Sequence, residues 1–187
     1  MAQGVILAAG YSSRAQSNKM LFKIQEKTLL EHAIDGMRPY VTHIFIVTGH
    51  DNDTISSLVK YDPMVTCVFN ADYDKGMFSS IKKGVFMTHE DSFLLPGDCP
   101  FVAGTTYEAL LQCSDDLCVP SYHEQRGHPL LIRYAMIKRL KREPSDGTLK
   151  HFRNRMGFET IPVEDPNILV DIDTQEIYEE IKRLKEE

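Results

Sequence analysis

The sequence predicts a three-layer, doubly wound α/β fold with a mostly parallel central sheet. Apolar segments of strand length alternate along the chain with segments of helical spacing, as a parallel sheet covered by helices on both faces requires. The chain has 187 residues, 42% of them apolar, which is enough for one full hydrophobic core. We therefore expect a single domain over residues 1–187.

The first half of the chain carries the regular alternation. Thr28 can act as the N-cap of a helix that ends at Arg38. Asp51 or Asn52 can cap a second helix, and residues 78–87 carry apolar side chains at helical spacing. Strands are predicted at residues 4–8, 43–48, 65–70, 92–96 and 117–121.

The second half is less regular. A C-terminal helix is predicted after Asp173 or Thr174, either of which can cap it. Its apolar residues recur at helical spacing at Ile177, Ile181 and Leu184. The remaining predictions are strands at 127–132, 159–163 and 167–171 and helices at 134–142 and 149–155.

Composition and charge narrow the range of partners. The net charge of −6 and the isoelectric point near 5.6 disfavour sequence-independent binding of nucleic acid. No apolar stretch approaches the length that crosses a bilayer, so no membrane role is expected. The cysteines at positions 67, 99, 113 and 118 show no paired C-x-x-C spacing, and the N-terminus enters a strand almost at once rather than a secretory leader. We expect a reducing, cytoplasmic setting.

A phosphate-binding loop is predicted where the first strand ends. The strand runs into Ala9 and Gly10, whose small side chains let successive backbone N–H groups approach an anion. Arg14 and Lys19 can neutralise the charge of a triphosphate. The residues expected to contact a nucleoside triphosphate here are Leu7, Ala8, Ala9, Gly10, Arg14 and Lys19.

Two other glycine-rich loops also follow a strand, and the sequence fits neither. After Gly10 the next glycine is Gly36. Both the Walker A pattern G-x-x-x-x-G-K-[ST] and the dinucleotide pattern G-x-G-x-x-G are therefore missing. A P-loop NTPase and a nicotinamide enzyme are disfavoured.

The segment Leu7–Lys19 resembles the L-A-A-G-x-S-x-R-M-G-x-x-K signature of molybdenum cofactor nucleotidyltransferases, specifically the cytidylyltransferase branch of the MobA-like NTP transferase superfamily. The spacing from Arg14 to Lys19 matches, and Ala15 and Gln16 replace the Met-Gly of the pattern. The resemblance implies a Rossmann-type fold like that of nucleotide-diphospho-sugar transferases. It also implies Mg²⁺-dependent transfer of CMP from CTP to the phosphate of a molybdopterin-type cofactor, with release of pyrophosphate.

Asp98 follows the apolar strand at 92–96 directly. Ligands of open α/β sheets bind at the carboxyl ends of strands, and a carboxylate there can bind Mg²⁺. Asp98 can instead cap the following helix or brace a turn. Residues 95–100 resemble the family's L-G-D-x-P motif, which implies that Asp98 binds the catalytic metal and that Asp98, Lys19 and Arg14 carry the catalysis.

A second pair of carboxylates lies in the segment Asp171–Thr174. It resembles the family's D-I-D-T-P-E-D segment in its first four residues. One of the two aspartates is expected to reach the metal. We favour Asp173, with Asp171 in reserve. An N-cap role for Asp173 is compatible with metal binding.

Residues 70–80 lead from the third strand into a helix, whose first turn presents free backbone N–H groups. Gly76 and Ser80 match the family's G-M-x-x-S motif, which implies contacts to the nucleotide or its acceptor. Asn70 is included with them as a candidate nucleotide contact. The alternative is that the serines are plain helix caps.

Residues 126–129 resemble the family's G-H-P segment, which implies that His128 helps to position the acceptor phosphate. A lone histidine is more often a structural residue. The other histidines show no H-x-x-x-H or H-x-H pattern, so no zinc site is expected.

Other functions stay open. The guanylyl branch typically has a glycine where Ala9 stands, so the resemblance implies CTP rather than GTP. A guanylyltransferase, or a nucleotidyltransferase for sugar or alcohol phosphates, shares the same motifs. A non-catalytic nucleotide- or cofactor-binding chaperone is disfavoured, because it does not need two metal-binding carboxylates. The expected partners are CTP, a phosphorylated small molecule, and a molybdoenzyme or its chaperone.

Overall fold

A central sheet with helices on both faces makes up most of the computed structural model, which describes residues 2–10 and 18–186. Its strands are β1 (Ala2–Ala8), β2 (Lys23–Ile24), β3 (Lys27–Thr28), β4 (Val41–Thr48), β5 (Val65–Phe69), β6 (Ser92–Pro96), β7 (Leu117–Tyr122), β8 (Gln125–Arg126), β9 (Leu130–Ile132) and β10 (Glu159–Pro162). Its α-helices are α1 (Leu29–Met37), α2 (Asn52–Leu58), α3 (Met77–Met87), α4 (Gly104–Gln112), α5 (Tyr134–Leu140), α6 (Leu149–Met156) and α7 (Gln175–Glu186).

The main sheet is mostly parallel, as the sequence predicts. Its strands follow the order β10-β7-β9-β6-β1-β4-β5, with β8 paired to β7, and β2 and β3 form a separate hairpin. The strands β5, β4, β1 and β6 are parallel to one another, and β10 is parallel to β7. The short β9 runs antiparallel to both β6 and β7. The carboxyl ends of β1 and β6 therefore meet at the same edge of the sheet.

Alternate residues of the central strands enter two separate cores, which confirms the three-layer prediction. Ile6 of β1 packs on one face, in a cluster that includes buried residues of α1, α2 and α4. Val5 and Leu7 pack on the other face with residues of α3, α5 and α6. A third, smaller cluster joins Tyr178 of α7 to the β2–β3 hairpin. The described residues form a single domain.

Helix α3 lies unusually close to the sheet because Gly84 has no side chain. A Cβ at Gly84 would overlap Val5 and would lie 2.9 Å from Cγ2 of Val47. Phe78, Ile81 and Val85 bury the rest of this face. This packing fixes the N-terminal turn of α3 beside the carboxyl end of β1, where the sequence predicts that the phosphate loop begins.

The predicted cap of α1 is confirmed as a complete capping box. The Glu31 backbone N–H donates to Thr28 Oγ1 at 3.2 Å, and the Thr28 backbone N–H donates to the Glu31 carboxylate at 2.8 Å. Each side chain thus satisfies a backbone donor that the first turn leaves free. The helix ends at Met37, close to the predicted Arg38.

Two predictions in the less regular part of the chain differ from the structure, and one helix is not among the predictions. The strand predicted at 167–171 is a 3₁₀ turn, Pro166–Leu169. Pro166 has no N–H for a ladder, and buried Asp165 accepts the Asn167 backbone N–H at 3.0 Å, which bends the chain instead. The strand predicted at 127–132 is confined to Leu130–Ile132. Helix α4 was not predicted as a separate element, because its apolar spacing is weak.

Two of the four cysteines are paired and two are free. Cys113 and Cys118 form a disulfide across the connection from α4 to β7. Sequence spacing alone did not indicate this pair, since the turn that brings the two residues together depends on the packing of α4 against the sheet. Cys67 and Cys99 are free thiols. Every helix among the described residues is too short or too polar to cross a bilayer.

Candidate active site

A cavity of about 440 Å³ lies where β1 and β6 end and α3 begins. The register pairs Leu7 with Pro96, so the two strands deliver their following residues to the same place. Ligand sites of open α/β sheets are found at such carboxyl edges. The described lining residues are Leu7, Ala8, Ala9, Gly10, Lys19, Met20, Tyr73, Asp74, Gly76, Met77, Ser80, Pro96, Asp98 and Asp173.

Lys19 holds two carboxylates from distant parts of the chain. Its ammonium Nζ donates to Asp98 Oδ2 at 2.5 Å and to Asp173 Oδ1 at 2.6 Å. The lysine and Asp98 side chains are largely buried, whereas Asp173 is 41% exposed and opens the group to solvent. Burial lowers the pKa of Lys19, but the charge of Asp98 and the hydrogen bonds to both carboxylates outweigh it and raise that pKa above its ordinary value.

The same pair of carboxylates has the chemistry of a divalent cation site. One oxygen of Asp98 and one of Asp173 reach a common positive atom, the Lys19 nitrogen. Carboxylate oxygens are the ligands that Mg²⁺ and Mn²⁺ prefer in proteins, usually together with substrate phosphates. These residues therefore fit a hard divalent ion, with Asp98 and Asp173 as its protein ligands.

The turn after β6 fixes Asp98 through backbone contacts. The Gly97 N–H donates to the Leu7 carbonyl at 2.9 Å, and a Cβ at Gly97 would lie 3.0 Å from that same oxygen. A glycine is therefore needed where β1 and the turn approach each other. On the other side, the Ile172 N–H donates to the Asp98 carbonyl at 2.9 Å. This bond ties Asp98 to the segment that carries Asp173.

The start of α3 forms another wall of the cavity. Gly76 has φ +98° and lines the cavity just before the helix begins. Ser80 also lines it, while Asn70 lies behind Ser80 and is buried. The Asn70 side-chain N–H₂ donates to Ser79 Oγ at 2.9 Å and to Ser80 Oγ at 3.0 Å. Asn70 thus braces the wall and is not among the lining residues.

Asp171 lies beside the cavity with two other residues. Cys99 Sγ donates to Asp171 Oδ1 at 2.8 Å, and His128 has a ring nitrogen within 4.8 Å of both. Burial, together with the charges of Asp98 and Asp171, raises the pKa of the Cys99 thiol far above its ordinary value. Burial lowers the pKa of His128. Neither Asp171 nor His128 is among the residues that line the cavity.

Several residues that line the cavity are not among those predicted from the sequence. Tyr73 and Asp74 lie in a short 3₁₀ turn that has no distinct sequence signal. Met77 belongs to the G-M-x-x-S motif, which did point to this wall. Arg14, which the sequence places in the phosphate loop, lies outside the described residues.

The geometry of the site agrees with the result of comparing this chain with known protein families and relatives. The MobA-like NTP transferase domain matches residues 4–160. The chain belongs to this family, and it is a nucleotidyltransferase. Over 172 residues the chain is 25% identical to the molybdenum cofactor cytidylyltransferase of Escherichia coli (strain K12), covering 91% of this chain and 90% of that one.

Solved structures share the fold over almost its whole length. Rv0371c from Mycobacterium tuberculosis H37Rv has a TM-score of 0.82 at 22% identity and covers 98% of both chains. A nucleotidyl transferase from Methanothermobacter thermautotroptrophicus also has a TM-score of 0.82, at 18% identity, over 98% of this chain and 97% of that one. A complex of Rv0371c with manganese has a TM-score of 0.77 at 23% identity, over 99% of this chain and 98% of that one.

Proposed function

We propose that this member of the family is a Mg²⁺-dependent cytidylyltransferase that transfers CMP from CTP to the phosphate of a molybdopterin-type cofactor. The observation that carries the proposal is the convergence of Lys19, Asp98 and Asp173 at the carboxyl edge of the sheet. The E. coli relative, named a molybdenum cofactor cytidylyltransferase, supports the choice of nucleotide and acceptor.

The triphosphate binds at the end of β1 in this proposal. Ala8, Ala9 and Gly10 line the cavity and have no bulky side chain to keep an anion away from the backbone. Among the described residues, a Cβ at Gly10 would meet nothing within 4 Å, so none of them blocks the space beside it. Lys19 supplies positive charge at the same place, and Arg14 is expected to add more.

The reaction needs charge neutralisation more than proton transfer. An oxygen of the acceptor phosphate attacks the α-phosphorus of CTP, the bond from that phosphorus to the bridging oxygen of the β-phosphate breaks, and pyrophosphate leaves with the electron pair. A phosphate monoester is already ionised near neutral pH, so no strong general base is required. The residues around the cavity therefore act mainly by positioning and by electrostatic stabilisation.

Each charged residue has a part in that stabilisation. The raised pKa keeps Lys19 protonated, so that it can balance the charge that grows on the α-phosphate and the leaving group. Asp98 and Asp173 would hold the divalent ion, which when bound neutralises phosphate charge and makes the α-phosphorus more electrophilic. The manganese complex of Rv0371c supports a divalent ion in this fold.

The donor and the acceptor are tested together by measuring pyrophosphate release. Purified protein is given Mg²⁺, a molybdopterin-type cofactor and each of CTP, GTP, ATP and UTP in turn, with the same mixtures lacking the metal as controls. We expect CTP to be preferred and release to require the metal. The Lys19→Ala variant is the background control, because pyrophosphate that it still releases does not come from this site.

Other outcomes change the proposal in defined ways. A preference for GTP would replace the cytidylyltransferase assignment by a guanylyltransferase. Release with sugar or alcohol phosphates, but not with the cofactor, would replace the acceptor. Nucleotide binding without release for any acceptor would contradict the proposed reaction and favour a carrier that delivers cofactor to a molybdoenzyme.

A further inference from the structure

Two arginines approach the same aromatic ring on the side of the site that carries His128. The guanidinium carbon of Arg126, at the end of β8, lies 4.8 Å from the centroid of the Phe158 ring. The guanidinium carbon of Arg153, in α6, lies at the same distance of 4.8 Å from that centroid. The aromatic ring holds both cations by cation–π contacts and keeps them near one another.

The charge of these arginines is not balanced by the protein that the structure describes. Arg38, Arg133 and Arg155 each pair with a carboxylate. Within residues 2–10 and 18–186, no carboxylate forms an ion pair with Arg126 or Arg153.

Arg153 also has an unused hydrogen-bond donor. Its Nε is buried and has no hydrogen-bond partner among the described atoms. Burial lowers the pKa of Arg153, and the nearby charge of Arg126 lowers it further. A buried donor and two like charges are costly unless an anion satisfies them. The arrangement is therefore incomplete in the protein alone.

The arginines are connected to the proposed metal carboxylates through His128. Arg126 is followed directly by Gly127 and His128, and the His128 N–H donates to the Ile168 carbonyl at 2.9 Å. A Cβ at Gly127 would overlap the Ile168 backbone, so the chain is held tightly at this point. His128 lies within electrostatic reach of both Arg153 and Asp98, whose charges move its pKa in opposite directions.

We infer that Arg126 and Arg153 bind the phosphate of the acceptor, and so form its anion subsite. The inference rests on the proposed function and names the residues that recognise its second substrate. Guanidinium groups bind phosphate oxygens through paired, charge-assisted hydrogen bonds, which a lysine cannot reproduce. Lys19 and Arg14 are the cations proposed for the triphosphate, so the arginine pair serves the acceptor.

The direct test measures binding of inorganic phosphate by titration calorimetry. The proteins are wild type, Arg126→Ala, Arg153→Lys and the double variant R126A/R153A. We expect the double variant to bind phosphate at least about tenfold more weakly, as loss of charge-assisted hydrogen bonds implies. Arg155→Ala is the matched control on the same helix, because Glu143 already satisfies its guanidinium, and it should bind phosphate as wild type does.

A Lys19→Ala protein lacks a cation of the nucleotide loop, so comparing it with the double variant shows how much of the phosphate affinity comes from each of the two places. Equal phosphate affinity in wild type and the double variant would overturn the inference. Arg126 is exposed, so Arg126→Ala keeps the test valid even if substitution of the partly buried Arg153 prevents folding, which circular dichroism would reveal.

Steady-state kinetics provide the second readout. In the arginine variants we expect the KM for the acceptor to rise by about tenfold while the KM for CTP stays within about twofold of wild type, because only one substrate loses contacts. If wild type binds phosphate through the arginines but transfers no nucleotide, the proposed function fails and the subsite stands. If transfer proceeds and the arginine variants leave the acceptor KM unchanged, the subsite fails and the proposed function stands.

Discussion

The two sides of the proposed site differ in how their charges are balanced. On the nucleotide side, Lys19, Asp98 and Asp173 form an ionic group in which each charge has an opposite partner within 2.6 Å. On the acceptor side, Arg126 and Arg153 share an aromatic ring and have no acidic partner in the described residues. The first arrangement is organised before any ligand arrives, and the second is completed by one.

This contrast predicts different losses on substitution. Removing a charge from the balanced group leaves a largely buried partner, Lys19 or Asp98, without an opposite charge, which disturbs both catalysis and folding. Removing a charge from the arginine pair relieves repulsion in the free protein and costs only ligand binding.

The Asp98→Asn substitution should have the largest effect. We expect kcat for pyrophosphate release to fall by about 10³-fold, because the substitution removes a proposed metal ligand and a partner of Lys19. The matched control is Asp35→Asn, whose carboxylate pairs with Lys27 on an exposed surface. Retention of more than about a tenth of wild-type kcat by Asp98→Asn would contradict the metal-site assignment.

The Lys19→Ala substitution should lower kcat by about 10²-fold, since charge on the α-phosphate and leaving group would lose a cation. Lys27→Ala removes a lysine from an exposed lysine–aspartate pair and should leave kcat within about twofold of wild type, as surface pairs contribute little. Equal losses of kcat in Lys19→Ala and Lys27→Ala would show that pairing a lysine with an aspartate matters only for stability.

Asp173 and Asp171 can be separated by substituting each with asparagine. Asp173 lines the cavity and contacts Lys19, so Asp173→Asn should reduce kcat by about 30-fold or more and raise the Mg²⁺ concentration needed for half activity. Asp171 contacts Cys99 outside the cavity lining, so Asp171→Asn should reduce kcat by less than about fivefold. If Asp171→Asn reduced kcat more than Asp173→Asn, Asp171 would be assigned as the metal ligand in place of Asp173.

The ionic group of Lys19, Asp98 and Asp173 should also make the stability of the protein depend on pH. The pKa of Lys19 in the folded protein is raised above the ordinary value of 10.5. Its pairing therefore stabilises the fold fully below that value, and the contribution is lost as pH rises through the folded-state pKa. Lys19→Met should lower the free energy of unfolding by about 1–3 kcal/mol near neutral pH.

Urea denaturation of wild type and Lys19→Met at several pH values measures this dependence. The difference between the two proteins should stay constant up to about pH 10 and shrink at higher pH. A difference that disappears between about pH 7 and pH 9 would contradict the raised pKa of Lys19.

Much of the scaffold and part of the site were predictable because their causes are local. The capping box of Thr28 and Glu31 lies within one helical turn, and the strands at the sheet centre are short apolar runs. Asp98 was found because a carboxylate follows such a run directly. The strand predicted at 167–171 is wrong, because the groups that hold Asp165 in place come from a distant part of the chain. Asp165 accepts from the Ala103 backbone N–H at 2.7 Å and from Thr106 Oγ1 at 2.9 Å.

Spacing and small residues act over a few positions, so the sequence was sufficient to predict the type of fold and to indicate a phosphate loop and the candidate carboxylates. Which carboxylate meets Lys19 depends on the tertiary structure, because Asp173 lies 154 residues away and its position depends on the order of the strands. The same holds for Arg126 and Arg153. Their shared ring comes from packing α6 and β10 against the sheet edge, a relation that no local pattern of residues encodes.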